Sequence, residues 1–207
     1  MCTRFFIDVS NEEAREIMER AEQSALLTRF RMKGTALPAF SGEVFPTNIV
    51  AAIAPDPKRQ ARVYPMRFGF RLEQDRRPLV NARSETAGEK PMFREAFRTH
   101  RCIVPASYYF EWEHQKDNTG AVSTGRKYLI QPRGASMTWL AGLYRIKNGL
   151  PELVILTREP ADALRKIHDR MPVILPKERI LQWISPDAEP EEILKYALTD
   201  MVFEKAE

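Results

Sequence analysis

Cysteine is almost missing from this chain. Only Cys2 and Cys102 occur among 207 residues, too few for a disulfide scaffold and without the C-x-x-C spacing of a zinc module, so a reducing compartment is expected. Long apolar runs are missing too: the longest clean one, Ile49 to Ala54, is far too short to span a bilayer. Acidic residues stand near the N-terminus where a signal peptide would be apolar. These absences predict a soluble, untargeted, cytoplasmic protein. Charge of one sign is also modest. The 32 basic and 28 acidic residues leave +4 and a pI near 9.1, which permits a phosphate-bearing partner without requiring one. There is no internal repeat, and 43% hydrophobic content can fill the core of a single domain over residues 1–207.

What is present divides into short elements. A strand is predicted from Arg4 to Val9, followed by a helix with a Ser10/Glu13 capping box and an apolar stripe of Ala14, Ile17, Met18 and Ala21. Ala36 to Asn48 reads as loop, Ile49 to Ala54 as strand, and Ala61 to Phe70 as extended chain with Gly69 at a close backbone approach. Pro91 opens a helix whose Met92, Phe93, Ala96 and Phe97 form a buried stripe. Arg101 to Pro105 and Tyr108 to Glu113 read as strands; alternation puts Tyr109, Glu111 and Glu113 on one face, so Glu111 need not be buried. Gln115 to Arg126 reads as an exposed hairpin loop. Strands follow at Lys127–Gln131, Met137–Tyr144 and Glu152–Thr157, the last pair joined by the tight-turn residues Asn148-Gly149. A helical turn at Pro160 to Ile167 delivers His168, and short helices are predicted from Lys177 to Trp183 and from Pro190 to Leu198.

The chemistry is concentrated in a few residues. Methionine ahead of a small residue is normally trimmed, which would leave Cys2 with a free α-amine and a thiol. These groups ordinarily titrate near 8 and 8.5, so each would be partly nucleophilic near neutral pH. Such a 1,2-aminothiol captures an aldehyde as a Schiff base and closes on it with sulfur to form a thiazolidine. Glu111 and His168 are candidate proton carriers, and Asn81 is a neutral hydrogen-bonding group. Each has a plainer reading as well: a buried cysteine at a strand start, an Asx turn at Asn81, a solvent-facing Glu111, and a capping or core His168.

Taken together, Met1-Cys2-x-Arg4-Phe5, Phe45-Pro46-Thr47, Asn81-Ala82-Arg83-Ser84-Glu85-Thr86, Arg101-Cys102-Ile103-Val104-Pro105, Phe110-Glu111-Trp112, Leu156-Thr157 and His168-Asp169-Arg170-Met171-Pro172 resemble the motifs of the SRAP family, the SOS response-associated peptidases or abasic site processing proteins. The resemblance implies an α+β fold, one domain with a β-barrel-like mixed or antiparallel core flanked by helices. It implies a protein of the DNA damage response that senses abasic sites in single-stranded DNA and crosslinks itself to them through Cys2. It also implies self-processing peptidase release of Met1 and lyase-type Schiff-base chemistry. By similarity Cys2 is the crosslinking residue, Asn81 holds the N-terminal residue, and Glu111 and His168 move protons, with His168 assisting ring opening and Glu111 serving the amine, or the reverse. Arg4, Arg83, Thr157 and Arg170 are implied DNA contacts. Apart from the resemblance, Trp112 or Phe68 could offer base-stacking platforms, although core packing is the commoner use of either ring. No cofactor or metal is expected, zinc held by Cys2, Cys102 and His168 being disfavoured by spacing; a monomer, nucleoid-associated on damage, is expected. Departures from the family pattern are Thr3 after the cysteine, Phe68 before Gly69, Tyr108, and Arg158-Glu159-Pro160. The rival readings are an N-terminal-nucleophile hydrolase and a non-covalent single-stranded DNA-binding module.

Overall fold

The computed structural model describes residues 2–34, 36–72, 77–116 and 122–206. In chain order the elements are β1 (Arg4–Ile7), α1 (Glu12–Glu22), α2 (Ala25–Met32), β2 (Gly42–Val44), β3 (Ile49–Pro55), β4 (Ala61–Phe68), β5 (Asn81–Arg83), α3 (Ser84–Ala87), α4 (Pro91–Thr99), β6 (Arg101–Ala106), β7 (Tyr108–Lys116), β8 (Val122–Pro132), β9 (Thr138–Lys147), β10 (Leu150–Arg158), β11 (Met171–Pro172), α5 (Ile180–Ile184), α6 (Pro190–Leu194) and β12 (Met201–Lys205). Single 3-10 turns stand at Asp162–Leu164 and Lys177–Arg179.

Apolar strands with both faces covered close into a barrel. β3 pairs antiparallel with β4 on one edge and β6 on the other, β6 with β9, and β9 with β10; β10 then lies parallel to β4 through Leu153 opposite Phe68, completing the ring. Closure leaves no exposed sheet edge within the ring. Beyond the point where β4 ends, β10 continues its parallel pairing with β5, Ile155 to Thr157 opposite Asn81 to Arg83. The ring is therefore a mixed barrel, and the α+β class read from the sequence holds. A second, antiparallel sheet runs β12-β8-β7-β1-β2. It is joined to the barrel where β6 passes through Ser107 into β7, and Ser107 N–H donates to Phe6 O.

Several local expectations change. α1 is capped by Asn11, whose Oδ1 accepts from Ala14 N–H at 3.0 Å, while the N–H of Ser10 donates to Asp8; the predicted stripe of Ala14, Ile17, Met18 and Ala21 is buried. α2 was not foreseen, because only Leu27 and Phe30 of its residues are buried and so few apolar positions make a faint helical period. In α4 Met92 is 44% exposed, leaving Phe93, Ala96 and Phe97 as the buried stripe. The segment read as loop from Gln115 to Arg126 is largely strand: β7 runs to Lys116 and β8 begins at Val122, the intervening 117–121 lying outside the described residues. β2 and β12 were also unforeseen; both are short or exposed edge strands. The Asn148-Gly149 turn has positive φ at both residues, 53° and 74°, as a tight hairpin requires. Gly69 has φ 107°, and a Cβ there would stand 2.8 Å from Pro78 Cβ.

Helices are fastened to the barrel by one buried cation. The Arg101 guanidinium, 1% exposed as a residue, donates to Trp183 O at 2.6 Å, Phe97 O at 2.8 Å and Ala188 O at 2.9 Å, and also to the carbonyls of Arg98 and Ser185. Four of these carbonyls end α4 and α5, where helical backbone has no internal donors left, and that of Ala188 lies in the segment after α5. Arg101→Met is expected to strand them and cost about 3 kcal/mol or more of stability, since each buried acceptor left unpaired costs roughly 1–3 kcal/mol. Denaturant midpoints check this; a loss under about 1 kcal/mol would show that water takes over the guanidinium's place.

Candidate functional site

The site lies where the start of the chain crosses from the second sheet onto the barrel. β1 runs antiparallel to β7 with Arg4 opposite Phe110 and Phe5 opposite Tyr109, so the preceding residues lie beside the Glu111 stretch. On the barrel side, β5 presents Asn81, 7% exposed, whose Nδ2 donates to Cys2 O at 3.0 Å and to Ile155 O at 3.4 Å. Asn81 Oδ1 is buried and has no hydrogen-bond partner among the described residues.

Cys2 is fully buried. Burial pushes its thiol pKa well up, the Glu111 charge adds to the rise, and the positive amino terminus partly offsets both. This corrects the expectation of a thiol poised near its ordinary value. In the chain that still carries Met1, the sulfur is a protonated, desolvated group that needs a base before it can attack.

Glu111 is close enough for its charge to act on this thiol. Glu111 is 3% exposed, which overturns the expectation that it could face solvent. Burial raises its carboxyl to about 7; the charge of the amino terminus and a hydrogen bond from it, with the backbone N–H of Trp112, pull downward, and Asp169 pushes upward. His168 follows the 3-10 turn of Asp162–Leu164 by four residues, its N–H donating to Leu164 O at 3.0 Å. Its Nε2 lies 3.8 Å from Glu111 Oε2, while Nδ1 lies 2.8 Å from Asp169 Oδ1 and 3.0 Å from Arg170 N–H. The last two contacts compete, because Nδ1 donates to Asp169 only when protonated and accepts from Arg170 only when bare. Burial first, then the amino terminus and His114, push the ring pKa down to about 4 against the pull of Asp169 and Arg170. The imidazole is thus neutral at physiological pH, with one proton that meets Asp169 from Nδ1 or points toward Glu111 from Nε2.

Tyr109 completes the lining. It is fully buried, shares the strand face of Glu111, and its hydroxyl has no hydrogen-bond partner among the described residues. Burial, then the charges of Cys2 and Glu111, raise its pKa well above the ordinary phenol value, so it remains a neutral donor. Sequence reasoning passed over this residue, although the alternation that grouped it with Glu111 was in view.

The residues assigned to DNA are spread around this centre. Arg83 is exposed at the end of β5. Arg170 donates to both carboxylate oxygens of Glu85, at 2.9 and 2.8 Å, and to Thr157 O at 2.7 Å. Partial burial would raise the Glu85 carboxyl, but these hydrogen bonds hold it below its ordinary value. Thr157 is fully buried, its hydroxyl 3.4 Å from Ala82 O. Arg4 lies over the rings of Phe45 and Trp112, 4.5 and 5.1 Å from their centroids, and pairs with Glu43 at 3.2 Å. Lys127, which the sequence did not single out, pairs with the same Glu43 at 3.2 Å and stands 3.7 Å from the Phe110 ring centroid; only the β7–β8 register, Trp112 opposite Lys127, reveals it. Phe68 is fully buried against Phe5 and is a core residue, not a stacking platform; Trp112 is half-buried. Cys102 is buried on β6 with its thiol pKa raised by burial alone. Clefts of about 680 Å³ beside α1 and about 570 Å³ beside Tyr64 and Tyr144 contain none of these groups.

The opposed shifts predict a pH signature. Glu111 titrates higher when folded, so it favours the folded state below about 4.5 and loses that effect as pH rises to about 7. His168 titrates lower when folded, so its contribution is present above 6.5 and is lost as pH falls toward 4. Between pH 4.5 and 6.5 the two slopes oppose. Relative to wild type, Glu111→Gln is expected to gain stability with rising pH over that window, measured by urea midpoints; parallel curves for the two proteins would refute the opposition.

Comparison with known proteins places the chain. Residues 1–206 match the family model described as SOS response associated peptidase (SRAP). The abasic site processing protein YoaM of Bacillus subtilis is 31% identical over 190 residues, 84% of this chain and 80% of that protein. The abasic site processing protein YedK of Escherichia coli is 26% identical over 132 residues, 62% of this chain and 57% of that protein. Among solved structures, a protein from Bacteroides thetaiotaomicron superposes with a TM-score of 0.71 at 21% identity, covering 100% of this chain and 92% of that one. A phage-related protein from Bordetella bronchiseptica gives 0.70 at 21% identity over 99% of this chain and 94% of that one; at such identities the likeness speaks for the fold. The family match over residues 1–206 makes this chain a member of the SOS response associated peptidase (SRAP) family.

Proposed function

We propose that this chain processes abasic sites in single-stranded DNA by crosslinking itself to them through Cys2 once Met1 has been removed. The observation that supports this most is that the buried Glu111 carboxyl and the His168 imidazole, 3.8 Å apart, both feel the charge of the amino terminus, while the Asn81 amide donates to Cys2 O at 3.0 Å. Removal of Met1, by self-cleavage in this reading, puts a free α-amine on Cys2. That amine adds to the ring-opened aldehyde of the abasic sugar to give a carbinolamine, which loses one water to become a Schiff base. The thiol then adds to the imine carbon, its proton moves to the nitrogen, and a thiazolidine forms. Closure removes the iminium before β-elimination can cut the strand, which shields the lesion.

Each step moves a proton that Glu111 can hold or release near neutral pH, the condition for effective acid–base work. Glu111 is better suited than His168 to be the acid, because a ring with pKa about 4 carries no spare proton at pH 7. His168 then accepts or passes protons between Glu111 and Asp169. Asn81 fixes the Cys2 backbone, and the Tyr109 hydroxyl offers a neutral donor to a sugar oxygen. Arg4, Lys127, Arg83 and Arg170 supply the basic track, with Trp112 as a stacking surface for an unpaired base.

Protein confirmed to begin at Cys2, mixed with a single-stranded oligonucleotide carrying one abasic site, is expected to give a denaturation-resistant species. Its intact mass should equal protein plus DNA minus one water, with no such product from undamaged DNA or from Cys2→Ala. Absence of the adduct would favour a binding module or an N-terminal hydrolase instead. Glu111→Gln is expected to slow adduct formation about a hundredfold with DNA binding retained, in line with the 10²–10⁴-fold typical of a positioned acid–base group; an unchanged rate would remove Glu111 from the mechanism. Arg83→Ala should weaken binding with a flatter salt dependence, read from affinities at several ionic strengths.

A further inference from the structure

His114 has no part in the chemistry above, yet its ring lies against that of His168, centroids 3.9 Å apart. In an unbroken strand His114 would share the face of Phe110 and Trp112, away from Glu111. The register of β7 on β8 shifts between Trp112 and His114, and a bulge of this kind re-aims the side chains that follow it. His114 N–H also donates to Ile167 O at 2.9 Å, which fixes this end of β7 to the turn that carries His168.

The result is a compact donor set. One ligand-capable atom each from His114, His168 and Asp169 lies within 4.8 Å of the others. The Nδ1 of His168 is 2.8 Å from Asp169 Oδ1. Around a tetrahedral ion with bonds of about 2.0–2.2 Å, donor atoms stand roughly 3.3 Å apart. The His168–Asp169 pair needs a slight spread, and the most distant pair a slight approach. His114 and Asp169 are exposed, while His168 is buried and held by its backbone. Two imidazoles and one carboxylate, with a fourth position open to water, suit zinc, cobalt or nickel in preference to calcium or magnesium.

We propose that His114, His168 and Asp169 form a site for a divalent transition-metal ion of the zinc type, and that its occupancy switches the Cys2 chemistry off. The ion takes the Nδ1 lone pair of His168, displaces the hydrogen bond from Arg170 N–H, and places itself and its water at the mouth of the site. The inhibitory consequence rests on the crosslinking reading; the binding does not.

The test has two arms. In the first, Co²⁺ is titrated without DNA into wild type, Cys2→Ser, His114→Ala and His114→Gln, each checked for folding by thermal melt. Wild type and Cys2→Ser are expected to bind one ion with the visible spectrum of nitrogen and oxygen ligation, and both His114 variants to bind at least tenfold more weakly. Equal binding by the His114 variants, or a thiolate charge-transfer band lost in Cys2→Ser, would overturn the site. In the second arm, saturating Zn²⁺ is expected to slow wild-type adduct formation at least tenfold, reversibly with EDTA. Each His114 variant should react at the same rate with and without the ion, whatever its own metal-free rate. Binding that leaves the wild-type adduct rate unchanged would overturn the switch. If metal-free wild type forms no adduct at all, it is the crosslinking reading that falls, and the first arm still decides the site.

Discussion

The pairing of β10 is the constraint on which the rest of the structure depends. Along one edge it bonds first to β4 and then to β5; along the other it bonds first to β9 and then to β11. Its first half closes the barrel, and its second half holds the segments that bring Asn81 and the end of the His168 loop to the chain start. Eight of its nine residues are buried, with Arg158 alone half-exposed, so the register is set by core packing that a slip of one residue would invert. The site therefore inherits its geometry from a strand packed along almost its whole length, and a buried ion cluster reinforces it. Glu152 of β10 is fully buried against Arg67 and Arg145, the latter at 3.0 Å, a pairing whose loss on either side would leave an uncompensated charge in the core.

Burial performs opposite tasks in the two halves of the molecule. Around Arg101 it strengthens hydrogen bonds to carbonyls, so that one cation caps two helices. Around Cys2 the same exclusion of water raises a carboxyl and a thiol and depresses an imidazole, each shift disfavouring the charged form. The outcome is a cluster in which burial favours the neutral form of each group.

Outside this dry centre, cations are held by carboxylates: Arg4 and Lys127 by Glu43, and Arg170 by Glu85. Ordering a long basic side chain before a phosphate arrives reduces the entropy lost on binding. Arg83 stands exposed at the end of β5, so the track proposed for DNA would be partly pre-ordered and partly open. The bulge in β7 adds His114 to the rim and gives this chain a feature that the motif residues do not contain.

The elements themselves were largely legible, because hydrophobic period and turn residues are local. The stripe of α1, the strands flanking Asn148-Gly149, and the position of the helix opened by Pro91 follow from neighbours a few residues away. α2 and β12 escaped notice because their apolar pattern is too sparse to stand out until tertiary contacts supply the missing burial. Likewise the sequence determined which reagents are available, a cysteine at position 2, an amide, a carboxyl and an imidazole, and which strand face Glu111 and Tyr109 share. It did not determine that this face would be sealed. That was decided when the start of the chain, β5 and the His168 turn packed over it, since alternation sets only which side chains point together, whereas their pKa values depend on what is brought across space to exclude water from them.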